Sequence, residues 1–180
     1  MEGEQNMPAG VIVLAVILAA AVTGDILRCR ISNTIVAAGL AAGFLINFLA
    51  EGSSGLVKST LGALLPVLLL FILFALRMLG AGDIKLFCAV GAIMGAEFTA
   101  YAAAFSFLAG GIIALTVMLA RGNVRRRFAF VAAYLKTVFL TQSFVPYTEF
   151  DDKADGAKFR FSPAIAAGCC IQAVFMLSGM

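Results

Sequence analysis

Long runs without a charged side chain decide what this chain can fold into. None occurs from Pro8 to Gly24, and none again from Asn33 to Ala50. Pro8 to Gly24 is about 17 residues, roughly 26 Å as a helix, close to the thickness of a bilayer core. With 62% hydrophobic residues and a mean hydropathy of +1.03, the chain is far more apolar than a soluble domain. These features predict an all-α, polytopic integral membrane protein built as a single domain over residues 1–180.

Six spans are expected, over approximately 8–24, 34–49, 61–79, 83–96, 99–120 and 163–180. Met1 to Met7 carries Glu2 and Glu4 but no base, so the first run reads as a retained span rather than a cleaved signal. Asp25 to Asn33 reads as a short polar connection, with Asn33 and Thr34 as candidate caps of the second span. Glu51-Gly52-Ser53-Ser54-Gly55 reads as a flexible turn, and Pro66 as a kink within span three. Residues 121–162 form the longest polar stretch. Within it Phe128, Val131, Ala132, Leu135, Val138 and Phe139 recur at helical spacing, which predicts an amphipathic helix lying in the interface between spans five and six. A seventh span is the alternative, and Lys136 near its midpoint counts against it.

Charge sets the orientation. Arg28, Arg30, Arg77, Lys85, Arg121, Arg125, Arg126, Arg127, Lys136, Lys153, Lys158 and Arg160 all fall in connections on one side. Only Lys58 falls on the other, with Glu2, Glu4, Glu51 and Glu97. The positive-inside rule therefore predicts both termini outside and the loop 121–162 in the cytoplasm.

The chain contains no histidine. That excludes a Ser-His-Asp triad, a Cys-His pair and a His-Glu-x-x-His zinc site. Cys29, Cys88, Cys169 and Cys170 lack the Cys-x-x-Cys spacing of a zinc knuckle, so neither a metal nor another cofactor is expected. No basic face with interleaved aromatics points to nucleic acid.

Two acids remain to be explained, because carboxylates amid apolar sequence are costly. Asp25 closes the first run. Asp83 lies in Leu79-Gly80-Ala81-Gly82-Asp83-Ile84-Lys85-Leu86, where the third run gives way to the fourth. By the charge topology both occupy the cytoplasmic side. The fourth run has about 14 residues, roughly 21 Å against a core of about 30 Å. Either the bilayer thins locally or the helix begins at depth, with Asp83 inside the membrane. If spans one and four are neighbours the carboxyls can meet, and two close carboxylates share a proton and titrate as a pair. The ionised member can draw a proton from a water that attacks a peptide carbonyl, and the protonated member can polarise that carbonyl. Gly80 and Gly82 would let substrate backbone approach Asp83. Lys85 either tunes the pair or anchors the helix end at the headgroups. The plain alternative makes Asp25 and Asp83 interfacial helix ends beside Arg28 and Lys85, with Asp83 or Asn33 as an N-cap.

Gly80-Ala81-Gly82-Asp83-Ile84-Lys85-Leu86 resembles the Gly-x-Gly-Asp-x-Lys-Leu signature of the type IV prepilin peptidases. Asp25-Ile26-Leu27-Arg28-Cys29-Arg30-Ile31-Ser32-Asn33 resembles that family's other motif, in which an aspartate precedes the asparagine of Ile-Pro-Asn by eight residues. Here Ser32 replaces the proline, which loosens the turn. Ser162-Pro163-Ala164 resembles the family's closing Pro-containing motif. The resemblance implies a membrane aspartic endopeptidase of a bacterial or archaeal cytoplasmic membrane, with Asp25 and Asp83 as its catalytic pair. Gly80, Gly82, Lys85 and Asn33 would support them. It implies cleavage of the short basic leader of prepilin-like proteins at the cytoplasmic face, in type IV pilus assembly and protein secretion. Larger members also methylate the new N-terminus and carry an extension with paired cysteines. This chain has neither that extension nor the cysteine pairs and resembles the short, peptidase-only form of tight-adherence (Flp-type) systems, so methyl transfer is not expected.

Rival readings are a proton-coupled transporter, since membrane acids also serve as relays, and a non-catalytic pilus-assembly subunit. Presenilin-type proteases share the Gly-x-Gly-Asp turn, but their first aspartate follows a tyrosine, whereas Thr23-Gly24 precedes Asp25 here.

Overall fold

A computed structural model describes residues 7–28, 30–76, 78–120 and 161–178. These residues form α1 (Met7–Arg28), α2 (Asn33–Glu51), α3 (Ser53–Ala75), α4 (Ala81–Met94), α5 (Ala96–Ala120) and α6 (Ser162–Leu177). Among them there is no strand, as the apolar runs predict. The expected interfacial helix and most of the loop 121–162 lie outside the described residues.

Four of the helices, α1, α2, α3 and α5, are long and apolar enough to cross a membrane. Their outward faces are apolar too: Ile12 and Val16 on α1, Leu68, Phe71 and Ile72 on α3, and Leu108 and Ile112 on α5 are all exposed. Patches of that extent are untenable in water and ordinary in lipid. The chain is an all-α, multi-pass membrane protein.

Helix ends depart from the simplest reading of the sequence at several points. α1 does not stop at Asp25 but continues to Arg28. Glu51–Gly55 is not an open turn: α2 and α3 abut at Gly52, which takes a φ of 62°. α2 is capped by Ser32 rather than Asn33 or Thr34. The Ser32 hydroxyl accepts the Thr34 N–H at 3.3 Å, so the cap moves one residue upstream and frees the Asn33 side chain.

The shortest helix holds the centre. α4 packs against α1, α2, α3, α5 and α6, and buries Leu86, Phe87, Ala89, Val90, Gly91, Ala92 and Ile93. A helix buried on nearly every side needs neighbours that come close, and small residues supply the space. α2 turns Gly39 and Gly43 towards α4, and a Cβ on Gly43 would lie 2.6–2.7 Å from the Ala92–Ile93 backbone. On α3, Gly62 meets Gly91 backbone to backbone, so that a Cβ on either would collide with the other's carbonyl. Pro66 lacks the N–H that would bond the Gly62 carbonyl within α3, and Gly62 is where α4 touches. α5 and α6 use the same device: Gly168 sits against Ser106 and the Ala102 carbonyl.

The last turn of α4 leaves carbonyls without helical donors. Polar side chains from two neighbours cover them. Asn47 donates its amide to the Ala92 carbonyl at 2.9 Å, the Ile93 carbonyl at 3.2 Å and the Ser59 hydroxyl at 2.8 Å. Ser59 donates to the Ala92 carbonyl at 2.9 Å. Both side chains are buried. In hydrocarbon a bare carbonyl costs several kcal/mol, so this polar knot lets a short helix end between its neighbours. The chain then reverses at Gly95, whose φ of 89° favours glycine.

Candidate active site

At its other end α4 begins beside the end of α1 and the starts of α2 and α6. Gly80 is the N-cap of α4, and Asp83 is the third residue of the helix. The Asp83 N–H donates to the Gly80 carbonyl at 3.1 Å, and the Asp83 carboxylate lies against the Gly80 backbone. Gly80 has no side chain with which to cap the helix, and Asp83 is not the N-cap itself. Its negative charge suits the first turn of a helix, where the macrodipole is positive.

Asp25 sits in the opposite electrostatic position. It lies in the last turn of α1, where the macrodipole disfavours an acid, and it is only 9% exposed. Its compensation comes from another helix. The Ser162 hydroxyl, fully buried at the first turn of α6, donates to Asp25 Oδ2 at 2.6 Å. The positive end of α6 thus faces an acid that its own helix would repel.

α1 and α4 are in contact, and the Asp25 and Asp83 carboxylates are near enough for their charges to act on each other. Among the described residues neither forms an ion pair with Arg28 or Lys85; the ion pair found there is Lys58–Glu51 at 2.9 Å. Two acids within electrostatic reach of one another are the candidates here for activating water.

The remaining candidates divide. Lys85 Nζ donates to Asn33 Oδ1 at 3.1 Å, tying the first turns of α2 and α4 together at an exposed position. Asn33 is thus an acceptor for Lys85 rather than a helix cap. The two glycines differ from one another. A Cβ on Gly80 would lie 3.0 Å from Asp83 Oδ2, so its absence lets the carboxylate fold back against the Gly80 backbone. A Cβ on Gly82 would meet only the Ile31 side chain, at an ordinary 3.5 Å. Ser162 belongs with Asp25 by contact. The signal for it in the sequence was its place at the head of the last apolar run, on the same side as Asp25 and Asp83.

No curated protein and no solved structure matches the chain. A family model, that of the type IV leader peptidases, matches residues 12–115, more than half of the chain and a segment holding both aspartates. On that match, and on an all-helical membrane architecture that agrees with it, the chain belongs to the type IV leader peptidase family.

Proposed function

We propose that this protein is a membrane-embedded aspartic endopeptidase that removes the short basic leader of type IV prepilin-like substrates, of the Flp or tight-adherence kind, at the cytoplasmic face. The observation that best supports this reading is the packing of α1, which carries Asp25, on α4, which carries Asp83, within the segment matched by the leader peptidase family. One carboxylate takes a proton from water as the water oxygen bonds to the scissile carbonyl carbon. The other, protonated, hydrogen-bonds the carbonyl oxygen and then supplies the proton that leaves with the amine as the C–N bond breaks. The chemistry needs no metal or organic cofactor, and N-methylation of the product is not part of it.

The charge distribution supports six crossings with both termini outside and the dyad facing the cytoplasm. A basic leader then stays beside anionic headgroups while the apolar segment behind it lies in the bilayer. A peptide bond within a helix has its carbonyl engaged, so the cleaved segment must be extended or unwound, and a glycine before the scissile bond favours that.

The test is co-expression with a prepilin of this class, comparing wild type with Asp25→Asn and Asp83→Asn by the mobility of the processed pilin. Wild type is expected to cleave the leader and both variants to leave it intact. Processing at the wild-type rate by either variant refutes the dyad. Loss of a proton-coupled flux, with cleavage untouched, would make the protein a transporter.

A further inference from the structure

Asp25 and Asp83 are chemically alike, and family membership does not say which of them is the base. Their surroundings differ. Asp83 lies against the backbone of Gly80, within its own helix end. Asp25 is held from another helix, by a hydroxyl at 2.6 Å. Ser162 is fully buried, so no water competes for its proton.

The position of Ser162 is fixed by packing. Phe161 packs at a tilt of 37° against Phe107 of α5 with ring centroids 5.5 Å apart, and its ring fills the space left by Gly110. Pro163 starts the helix where a missing N–H costs least. The hydroxyl is thus held by α5 and α6, outside the residues 12–115 that the family model matches.

We propose that Ser162 is a positioning residue for the dyad, its hydroxyl fixing the Asp25 carboxyl in the geometry that the reaction with water needs. The elements packed against α1 bring few other charges to Asp25. α4 offers Asp83 and Lys85, and Lys85 is turned to Asn33. α6 has no charged residue, and the one acid of α2, Glu51, lies at its far end, bonded to Lys58. On α1 itself and just beyond it, Arg28 and Arg30 are exposed.

This inference rests on the dyad reading, and one assay separates their failures. The full-length protein is purified in detergent and given a prepilin whose basic leader ends in glycine. Wild type, Ser162→Ala, Ser162→Cys, Asp25→Asn and Asp83→Asn are compared, each normalised to folded protein. Losing the hydroxyl is expected to lower kcat about tenfold with KM within about twofold. Cysteine is close to isosteric and a weak donor, so it carries the comparison if the alanine variant fails to fold. Wild-type kcat in a folded Ser162 variant, or a loss that falls on KM and leaves kcat unchanged, overturns the proposal. If Asp25→Asn or Asp83→Asn still cleaves, the dyad itself is wrong. If both are dead while the Ser162 variants behave as wild type, only the role of Ser162 is lost.

Discussion

The two glycines before Asp83 carry unequal burdens, and a single methyl group distinguishes them. In Gly80→Ala the new Cβ would stand 3.0 Å from Asp83 Oδ2, whereas ordinary van der Waals contact begins at 3.4 Å. The carboxylate must therefore retreat by about 0.4 Å, the difference of those distances. Misplacing a catalytic group by about 1 Å costs on the order of 100-fold, so a shift of about 0.4 Å costs roughly sixfold in kcat. Alanine is also a poorer N-cap than glycine, which loosens the first turn of α4 further. In Gly82→Ala the Cβ meets Ile31 at 3.5 Å and displaces nothing. Position 82 is inside the helix, where alanine exceeds glycine by up to about 1 kcal/mol, so this variant is expected to be as stable as wild type or more so, with kcat within about twofold. The assay is single-turnover cleavage of a prepilin by folded, purified variants, with thermal unfolding measured alongside. If the glycines serve chiefly to admit substrate backbone beside Asp83, the methyl at position 82 does at least as much harm as the one at position 80. A Gly82→Ala enzyme slower than Gly80→Ala would refute the reasoning.

Two further perturbations test the rest of the frame. Asn47→Ala removes the amide that serves Ala92, Ile93 and Ser59. At about 0.6 kcal/mol per interhelical bond, a loss of roughly 1–2 kcal/mol is expected in mixed-micelle unfolding, and a loss below about 0.5 kcal/mol would count against the polar knot. Lys85→Ala and Asn33→Ala each delete the same exposed bond, so each should change stability by less than about 1 kcal/mol and kcat by less than about threefold, and the double variant should add little. A tenfold loss for Lys85→Ala with none for Asn33→Ala would mean that the lysine acts on the carboxylates directly.

Apolar runs, charge asymmetry and the two acids were legible in the sequence because each is a property of a residue and its near neighbours. What escaped was decided between segments. Asn33 has the chemistry of a cap, but Ser32 is one residue closer to the end and takes the role, leaving Asn33 to meet Lys85 from another helix. Nothing local marks Gly43, Gly62 and Gly91 as contact residues; their use, admitting a neighbouring backbone, exists only once the helices meet. Glu51–Gly55 is rich in turn formers, yet helix resumes at Ser53 because Gly55 packs directly on the Asn47 carbonyl. Ser162 stood in a recognised motif, but its worth depends on an acid 137 positions away.

The enclosure of α4 also bears on how such a protein is made. With 14 residues, among them Asp83 and Lys85, α4 is a poor candidate for entry into the bilayer by itself; an aspartate or lysine near mid-membrane costs on the order of 3 kcal/mol at insertion. Its berth is prepared by helices translated before it, through Gly43 and Asn47 of α2 and Ser59 and Gly62 of α3. Packing onto α2 and α3 therefore contributes more to placing the acid-bearing turn than the lipid affinity of α4 itself does, and biogenesis of the site is expected to be a folding event more than a partitioning one.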